Sequence, residues 1–422
     1  MSEKISAPKG MLDILPEESG KWTALERIIR DICGRYGFEE IRTPVVEHTE
    51  VFSRGVGDTT DVVSKEMYTF EDKGGRSITL RPEGTAGVVR SFLENGLFNA
   101  ALPVKLFYLI GCYRYEKPQK GRLREFHQFG VEMFGATDPM SDATLISLPH
   151  QLFKELGVKG VTLHLNSIGC RECRAKYRET LKAYFADKTD KLCPTCLTRL
   201  EKNPMRILDC KDAGCKELSK DAPLILDHIC DDCREHFEKV KAYLTAMEIP
   251  FEIDARIVRG LDYYNRTVFE FVSSDLGAQS TVCGGGRYDG MTTQLGGDDY
   301  PGIGFAMGIE RFMLMLESQG IVLAEPSTPD LYIAPMGEAA KVKAATLMAS
   351  LVGEGASVAT DLMGKSLKAQ MKYANRIGAK NVIVLGDGEL ESGKVTLKNM
   401  NGGEPREMEL SALSAADLQE EE

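Results

Sequence analysis

The chain has 422 residues, 43% hydrophobic and 27% charged, with a formal net charge of −11. Its length predicts about two to four domains with sizeable cores. The acidic balance argues against a protein that coats nucleic acid unspecifically. The lack of a basic, then apolar N-terminus, or of any apolar run near about 18 residues, argues against secretion and membrane spanning and makes the cytoplasm the expected compartment.

Glu18 to Tyr36 carries Trp22, Leu25, Ile28, Ile29 and Ile32 at helical spacing, and Gly37 suits the position just past a helix end. Phe38 to Val46 reads as a strand with Pro44 at an edge or a bend. Ser77 to Leu80, Val104 to Tyr115, Glu125 to Phe134 and Val161 to Leu165 are further β-type runs. Regular helices of about 10 to 15 residues do not separate them, so a mostly antiparallel sheet in an α+β fold is expected. Cys170 to Met247 changes to helical, charged and cysteine-rich, as an insertion would. Strand character resumes at Phe251 to Val258 and Thr267 to Val272, and Gly302 to Gly308 runs into a helix at Ile309 to Glu317. Gly320 to Pro329 is a turn-rich linker. Beyond it Leu331 to Pro335, Ala339 to Leu351, Ser357 to Asp361, Ser366 to Ile377 and Asn381 to Leu385 alternate strand and helix, a small α/β domain. Leu413 to Glu422 is expected to be frayed.

Four segments concentrate polar chemistry. Arg114-Tyr-Glu-Lys-Pro-Gln-Lys-Gly-Arg-Leu-Arg124 reads as a basic loop between two strands. A solvated hairpin is the plain alternative, but Arg114 borders apolar strand residues, and a rigid guanidinium binds phosphate through two parallel hydrogen bonds. Thr79-Leu-Arg-Pro-Glu-Gly-Thr85 is a turn from strand to helix that brings Glu83 and the Thr85 hydroxyl together, suiting either an ammonium group or an ordinary helix cap. Val258-Arg-Gly-Leu-Asp-Tyr-Tyr-Asn-Arg266 sets two tyrosines among arginines, and Cys283-Gly-Gly-Gly-Arg-Tyr-Asp-Gly290 reads as a flexible turn. Gly302-Ile-Gly-Phe-Ala-Met-Gly-Ile-Glu-Arg311 lacks dinucleotide-binding spacing, and Gly364-Lys-Ser366 fails as a phosphate loop because Ala359 stands where the leading glycine is required.

Together these segments resemble the class II aminoacyl-tRNA synthetases, and the Arg259 to Tyr264 and Gly284 to Gly290 strings are similar to the two signatures of the histidyl-tRNA synthetase family. The resemblance runs from Pro8-Lys-Gly-Met-Leu-Asp13 through the last domain. Pro44 and its preceding helix resemble motif 1, at the family's dimer interface; Arg114 and its loop resemble motif 2, and Gly302 to Arg311 motif 3.

The resemblance implies that Glu83, Thr85 and Gln128 hold the α-amino group of L-histidine, and that Glu132, Tyr264 and Tyr288 read the imidazole, with Tyr263 also among the histidine-binding residues. It implies Arg114 and Arg259 on the ATP α-phosphate as the catalytic pair, Arg311 on the γ-phosphate, Mg2+ entering with ATP, a homodimer, and tRNA(His) as acceptor. The implied architecture is a class II antiparallel core in two parts, 1–169 and 249–325, a helical insertion at 170–248, and an α/β anticodon-binding domain at 330–422. The alternative is a histidine-binding regulatory paralogue of a histidine-biosynthesis phosphoribosyltransferase. Such regulators usually lack the last domain and part of the ATP-gripping set, whereas Arg114, Arg259 and Arg311 are all present here.

Lys365, Lys368, Lys372 and Arg376 recur at spacings of three and four as a basic stripe on one helix. They join Lys120 and Arg122 as candidates for tRNA contact. Cys170, Cys173, Cys193 and Cys196 form two C-x-x-C pairs 19 residues apart, in the range of a structural Zn2+ site; Cys210, Cys215, Cys230 and Cys233 follow, enough for a second ion. Family members often lack these thiols, and spacing does not fix which cysteines share an ion.

Overall fold

The computed structural model describes residues 5–57, 60–273, 281–324 and 328–418, which belong to two compact units, Met1–Ala324 and Glu325–Glu422. The division falls inside the expected linker, of which residues 325–327 lie outside the described residues.

The first unit opens on α1 (Pro16–Arg35). Pro16 sits in the first turn, where a missing N–H costs nothing, and Glu17 and Glu18 face the positive end of the helix dipole. Leu25, Ile29, Ile32 and Cys33 make its buried stripe. There follow β1 (Glu39–Glu40), β2 (Val46–His48), α2 (Thr49–Val56), β3 (Tyr68–Glu71), β4 (Ser77–Leu80), α3 (Thr85–Glu94), β5 (Val104–Tyr113), β6 (Glu125–Phe134), α4 (Pro139–Glu155) and β7 (Val161–Ser167). The insert supplies α5 (Arg171–Phe185), α6 (Pro194–Lys202), α7 (Ala213–Ser219) and α8 (Asp231–Ala246). The chain returns through β8 (Phe251–Ile253), β9 (Asn265–Ser273), β10 (Thr281–Arg287), α9 (Met291–Gln294), β11 (Gly302–Gly308) and α10 (Ile309–Ser318).

Eight strands form one sheet in the order β1-β5-β6-β11-β10-β9-β7-β8. The pairs from β5 to β7 are antiparallel, and the edge pairs β1·β5 and β7·β8 are parallel. On one face α1, α4, α8 and α10 pack over Phe129, Val131, Met133, Phe305 and Met307. The other face shares its core with the insert and with Tyr108, Tyr263, Tyr264 and Tyr288.

Phe38 to Val46 is not one strand. Pro44 has no N–H to give a ladder, so the chain bends: β1 joins the main sheet, and β2 joins a separate three-stranded sheet with β4 and β3. Phe251 to Val258 shortens to the three residues of β8.

The second unit runs β12 (Leu331–Pro335), α11 (Glu338–Gly353), β13 (Val358–Thr360), α12 (Leu367–Arg376), β14 (Asn381–Leu385), α13 (Asp387–Ser392), β15 (Lys394–Asn399) and β16 (Arg406–Glu409), with sheet order β13-β12-β14-β15-β16. β15 and β16 are unanticipated elements. The expected frayed tail is corrected over its described part: Leu413 and Leu418 are buried in this unit's core, which outweighs the acidic composition around them.

Candidate active site

Strand alternation sends every second residue to the face away from α1 and α10. The register aligns Leu106, Glu132, Gly304, Gly286 and Val268 in one row across β5, β6, β11, β10 and β9, and Tyr108, Gly130, Ala306, Gly284 and Glu270 in the next. Small residues down the middle leave a trough, and polar side chains lie down across it. A Cβ added at Gly304 would stand 1.7 Å from Glu132 Oε2, one at Gly130 2.0 Å from Tyr108 Cζ, and one at Gly284 2.5 Å from Arg259 Nη1. Each glycine costs about 0.5–1 kcal/mol against alanine in a strand, and what it leaves is room for a functional side chain.

Glu132 lies at the bottom of this trough, fully buried. The Tyr108 hydroxyl donates to its Oε1 at 3.1 Å and the Tyr288 hydroxyl to its Oε2 at 2.6 Å. Burial pushes the carboxyl up to about 8, despite the hydroxyls of Tyr288, Thr85 and Tyr108 and with the nearby Glu83 adding to the rise. Tyr263 closes the wall, its ring 5.7 Å from Tyr288 and 4.5 Å from Tyr264 between centroids.

At one end sits the turn between β4 and α3. The Glu83 carboxylate accepts from the backbone N–H of Thr85 at 2.7 Å and of Ala86 at 2.9 Å, capping α3. Burial pushes its pKa up; those N–H donors and Arg114 oppose the rise. Gln128 Oε1 accepts from Gly84 N at 3.1 Å, which ties β6 to the turn.

The three arginines approach the trough from different elements. Arg114 Nε donates to Pro82 O at 2.8 Å, and its guanidinium stands 5.3 Å from the Phe126 ring centre. Arg259 forms an ion pair with Glu270 and lies over the Tyr264 ring at 5.8 Å. Burial opposes its charge, but Glu270 more than compensates and raises its pKa. Its Nε is buried without a hydrogen-bond partner. Arg311 Nη1 donates to Thr281 O at 2.8 Å, and Thr281 Oγ1 donates to Glu270 Oε2 at 2.8 Å, so one residue of β10 joins the surroundings of Arg259 and Arg311. The loop after Arg114 leans on the start of α10: a Cβ at Gly121 would stand 3.2 Å from Leu314 Cδ1 and 3.9 Å from Arg311 Cα.

A buried carboxylate between phenolic hydroxyls, beside guanidinium groups from three segments, suits a small polar ring bound next to a phosphate ester. Comparison with known proteins gives this arrangement a family. Residues 10–312 match the family model described as Histidyl-tRNA synthetase, and residues 330–421 match the one described as Anticodon binding domain. The chain belongs to the histidyl-tRNA synthetase family. It is 57% identical over 407 residues to a histidine–tRNA ligase of Acetivibrio thermocellus, covering 96% of this chain and 98% of that relative. It is 53% identical to one of Caldanaerobacter subterraneus subsp. tengcongensis, covering 97% and 98%. Among solved structures, apo histidyl-tRNA synthetase of S. aureus superposes with a TM-score of 0.83 at 40% identity, covering 97% of this chain and 98% of that one.

Two groups in this histidyl-family trough escaped sequence reasoning. Tyr108 lies in an apolar run and reads as core; its signal was its place on the Gln128 face, two residues from the Ile110 that pairs with Gln128. Glu270 reads as the exposed side of an alternating strand, yet it is the partner of Arg259. Cys283 to Gly290 is corrected from a flexible turn to the central strand β10 and the bend after it. The glycines there make close approach to neighbouring strands: a Cβ at Gly285 would stand 2.1 Å from Gly304 O. Arg287 next to them is buried and bonds the Asp142 carboxylate, with 2.6 Å between Nη2 and Oδ2.

The cysteine set also needs correction. Cys170 and Cys173 do not meet Cys193 and Cys196. In each of two groups the Sγ atoms lie within 4.8 Å of one another: Cys170, Cys173, Cys230 and Cys233 in the first, and Cys193, Cys196, Cys210 and Cys215 in the second. Most of α5, from Cys173 to Phe185, separates the two expected pairs, a rise of about 18 Å. Either group could hold a zinc ion. Of the tRNA candidates, Lys120 is exposed and Arg122 is half-buried in an ion pair with Glu116. Lys368, Lys372 and Arg376 are exposed at four-residue spacing on α12, whereas Lys365 precedes the helix and lies over the Tyr373 ring.

Proposed function

We infer that this chain is a histidine–tRNA ligase, joining L-histidine to ATP as histidyl-adenylate with release of pyrophosphate, then passing the histidyl group to the 3′-terminal adenosine of tRNA(His). The observation that carries the reading is Glu132, fully buried between the hydroxyls of Tyr108 and Tyr288 with Arg259 across the trough. A carboxyl oxygen of Glu132 accepts one imidazole N–H and Tyr264 meets the other ring nitrogen. A side chain without those nitrogens leaves both groups unmatched, which is costly in a dry pocket. Glu83, Thr85 and Gln128 take the ammonium group.

The histidine carboxylate attacks the α-phosphorus, the bond to the bridging oxygen breaks, and pyrophosphate leaves with its electron pair. The attacking group is already an anion, so no side chain removes a proton. Arg114 and Arg259 hold the α-phosphate as charge builds on it, and Arg311 holds the γ-phosphate end. Magnesium would be held by the triphosphate and would offset its charge, since the acids of this face are engaged, Glu270 by Arg259 and Glu116 by Arg122.

Residues 1–169 and 249–325 serve as the catalytic core, 170–248 as an insertion and 330–422 as the anticodon reader. The core pairs with a second copy near Pro44, beside which Val45 and Val46 are exposed. Among the described residues no helix is long and apolar enough to cross a membrane, which accords with work in the cytoplasm. A family match over residues 330–421 leaves the regulatory alternative without a use for that domain. The test is exchange of pyrophosphate into ATP. Exchange that depends on histidine is expected; none with histidine, or equal exchange with leucine, would overturn the reading.

A further inference from the structure

Each cysteine group has the shape of a single-ion site. Four thiolates around zinc at about 2.3 Å stand about 3.8 Å apart along each tetrahedral edge. Cys170 and Cys173 have their sulfurs 3.5 Å apart, and Cys193 and Cys210 have theirs 3.9 Å apart, too far for a disulfide and close to that edge. Backbone donors already point at the sulfurs: Cys170 N to Cys233 Sγ at 3.2 Å, Cys230 N to Cys173 Sγ at 3.1 Å, and Cys193 N to Cys215 Sγ at 3.3 Å. Such N–H···S bonds balance the surplus negative charge of a tetrathiolate centre.

The two groups are nested in sequence, and the segments they clamp reach the signature loop Arg259–Tyr264. Arg174, next to Cys173, donates to Tyr264 O at 2.6 Å and to Asp262 O at 3.3 Å. Between Cys196 and Cys210, Asn203 donates to Asp262 Oδ1 at 2.9 Å and Arg206 to Arg259 O at 3.0 Å. The backbone that presents Arg259 and Tyr264 to the trough is thus held from behind by donors whose own positions depend on the cysteine groups.

We propose that the insert binds two structural zinc ions, and that the inner one, on Cys193, Cys196, Cys210 and Cys215, positions the Arg259–Tyr264 loop through Asn203 and Arg206. The positioning half rests on the assignment of Arg259 and Tyr264 to phosphate and imidazole. With the inner zinc gone, the segment from Asn203 to Ile207 loses the ends that fix it, and its two donors leave the loop.

The test uses the intact purified chain, with metal read by elemental analysis. Two zinc ions per chain are expected, one per cysteine group; one ion or none, or iron in their place, overturns the proposal. Cys196→Ser with Cys210→Ser should lower the count by one. Arg206→Ala should keep both ions, lower kcat for pyrophosphate exchange and raise KM for histidine, each by about 10-fold on the usual scale of supporting-contact losses. Arg206→Lys, which retains a donor, should recover part of both. Normal exchange in Arg206→Ala, or in the inner-site variant with one zinc lost, overturns the positioning role. Should the intact chain hold two zinc ions yet perform no histidine-dependent exchange, the ligase assignment fails and the zinc count stands.

Discussion

The cations of the trough and those of α12 are held in opposite ways. Arg114, Arg259 and Arg311 are half-buried and anchored, to Pro82 O, Glu270 and Thr281 O in turn. Lys368, Lys372 and Arg376 stand exposed on a ten-residue helix. An anchored guanidinium has lost its freedom before the ligand arrives and acts in a site that excludes water, so its effect on a developing charge is large. An exposed ammonium acts across screened solvent and contributes mainly to attraction and salt dependence. On the proposed function, one chain thus carries charge for chemistry in its first unit and charge suited to capture in its second.

Substitutions can break that contrast. The largest effect is expected for Arg259→Ala, with pyrophosphate exchange lower by about 10³-fold or more and the thermal midpoint little changed, since the charge acts on the transition state; a loss below about tenfold would put Arg259 among the merely attractive cations. Next comes Glu132→Gln, expected to lower kcat/KM for histidine by about 10²-fold, because the amide presents an N–H where an acceptor is needed.

The same residue gives a pH test. Folding raises the Glu132 carboxyl from its ordinary 4.5 to about 8. The stability that a neutral Glu132 contributes is fully present below pH 4.5 and is gone once pH has risen through about 8. Wild type should therefore lose stability relative to Glu132→Gln across that interval, by up to about 1.4 kcal/mol per pH unit, in denaturant titrations at several pH values. Parallel stability curves for the two proteins would show that Glu132 is ionised throughout.

The smallest effect belongs to α12. Removing Lys368, Lys372 and Arg376 together should raise KM for tRNA by about 3- to 10-fold and flatten its salt dependence, with pyrophosphate exchange untouched. A change in exchange would show that these lysines and arginine do more than attract RNA.

Strands β6 and β11 and helix α10 were readable because alternation and helical spacing are local, and the packing around them agrees with the local preference. β10 was misread because Gly284, Gly285 and Gly286 have no side chains to alternate; their reason for being there lies on β9 and β11 and on Arg259. β15 was missed although Val395 and Leu397 alternate with exposed neighbours, a short signal that acidic surroundings diluted. Glu270 and Tyr108 were missed for the same kind of reason as β10, since each draws its role from a partner on another element, Tyr108 from Glu132 on β6 and Glu270 from Arg259 in the loop before β9.

Order along the chain therefore determined the family, the split core, the trailing α/β unit and the chemical types in the trough, all of which follow from local periodicity and short strings of residues. Tertiary structure alone decided that Glu132 lies between two phenols, that Glu270 holds Arg259, and that cysteines pair as outer with outer and inner with inner. Those facts depend on strand register and on which helix ends meet, and a linear string does not specify distances between residues tens of positions apart.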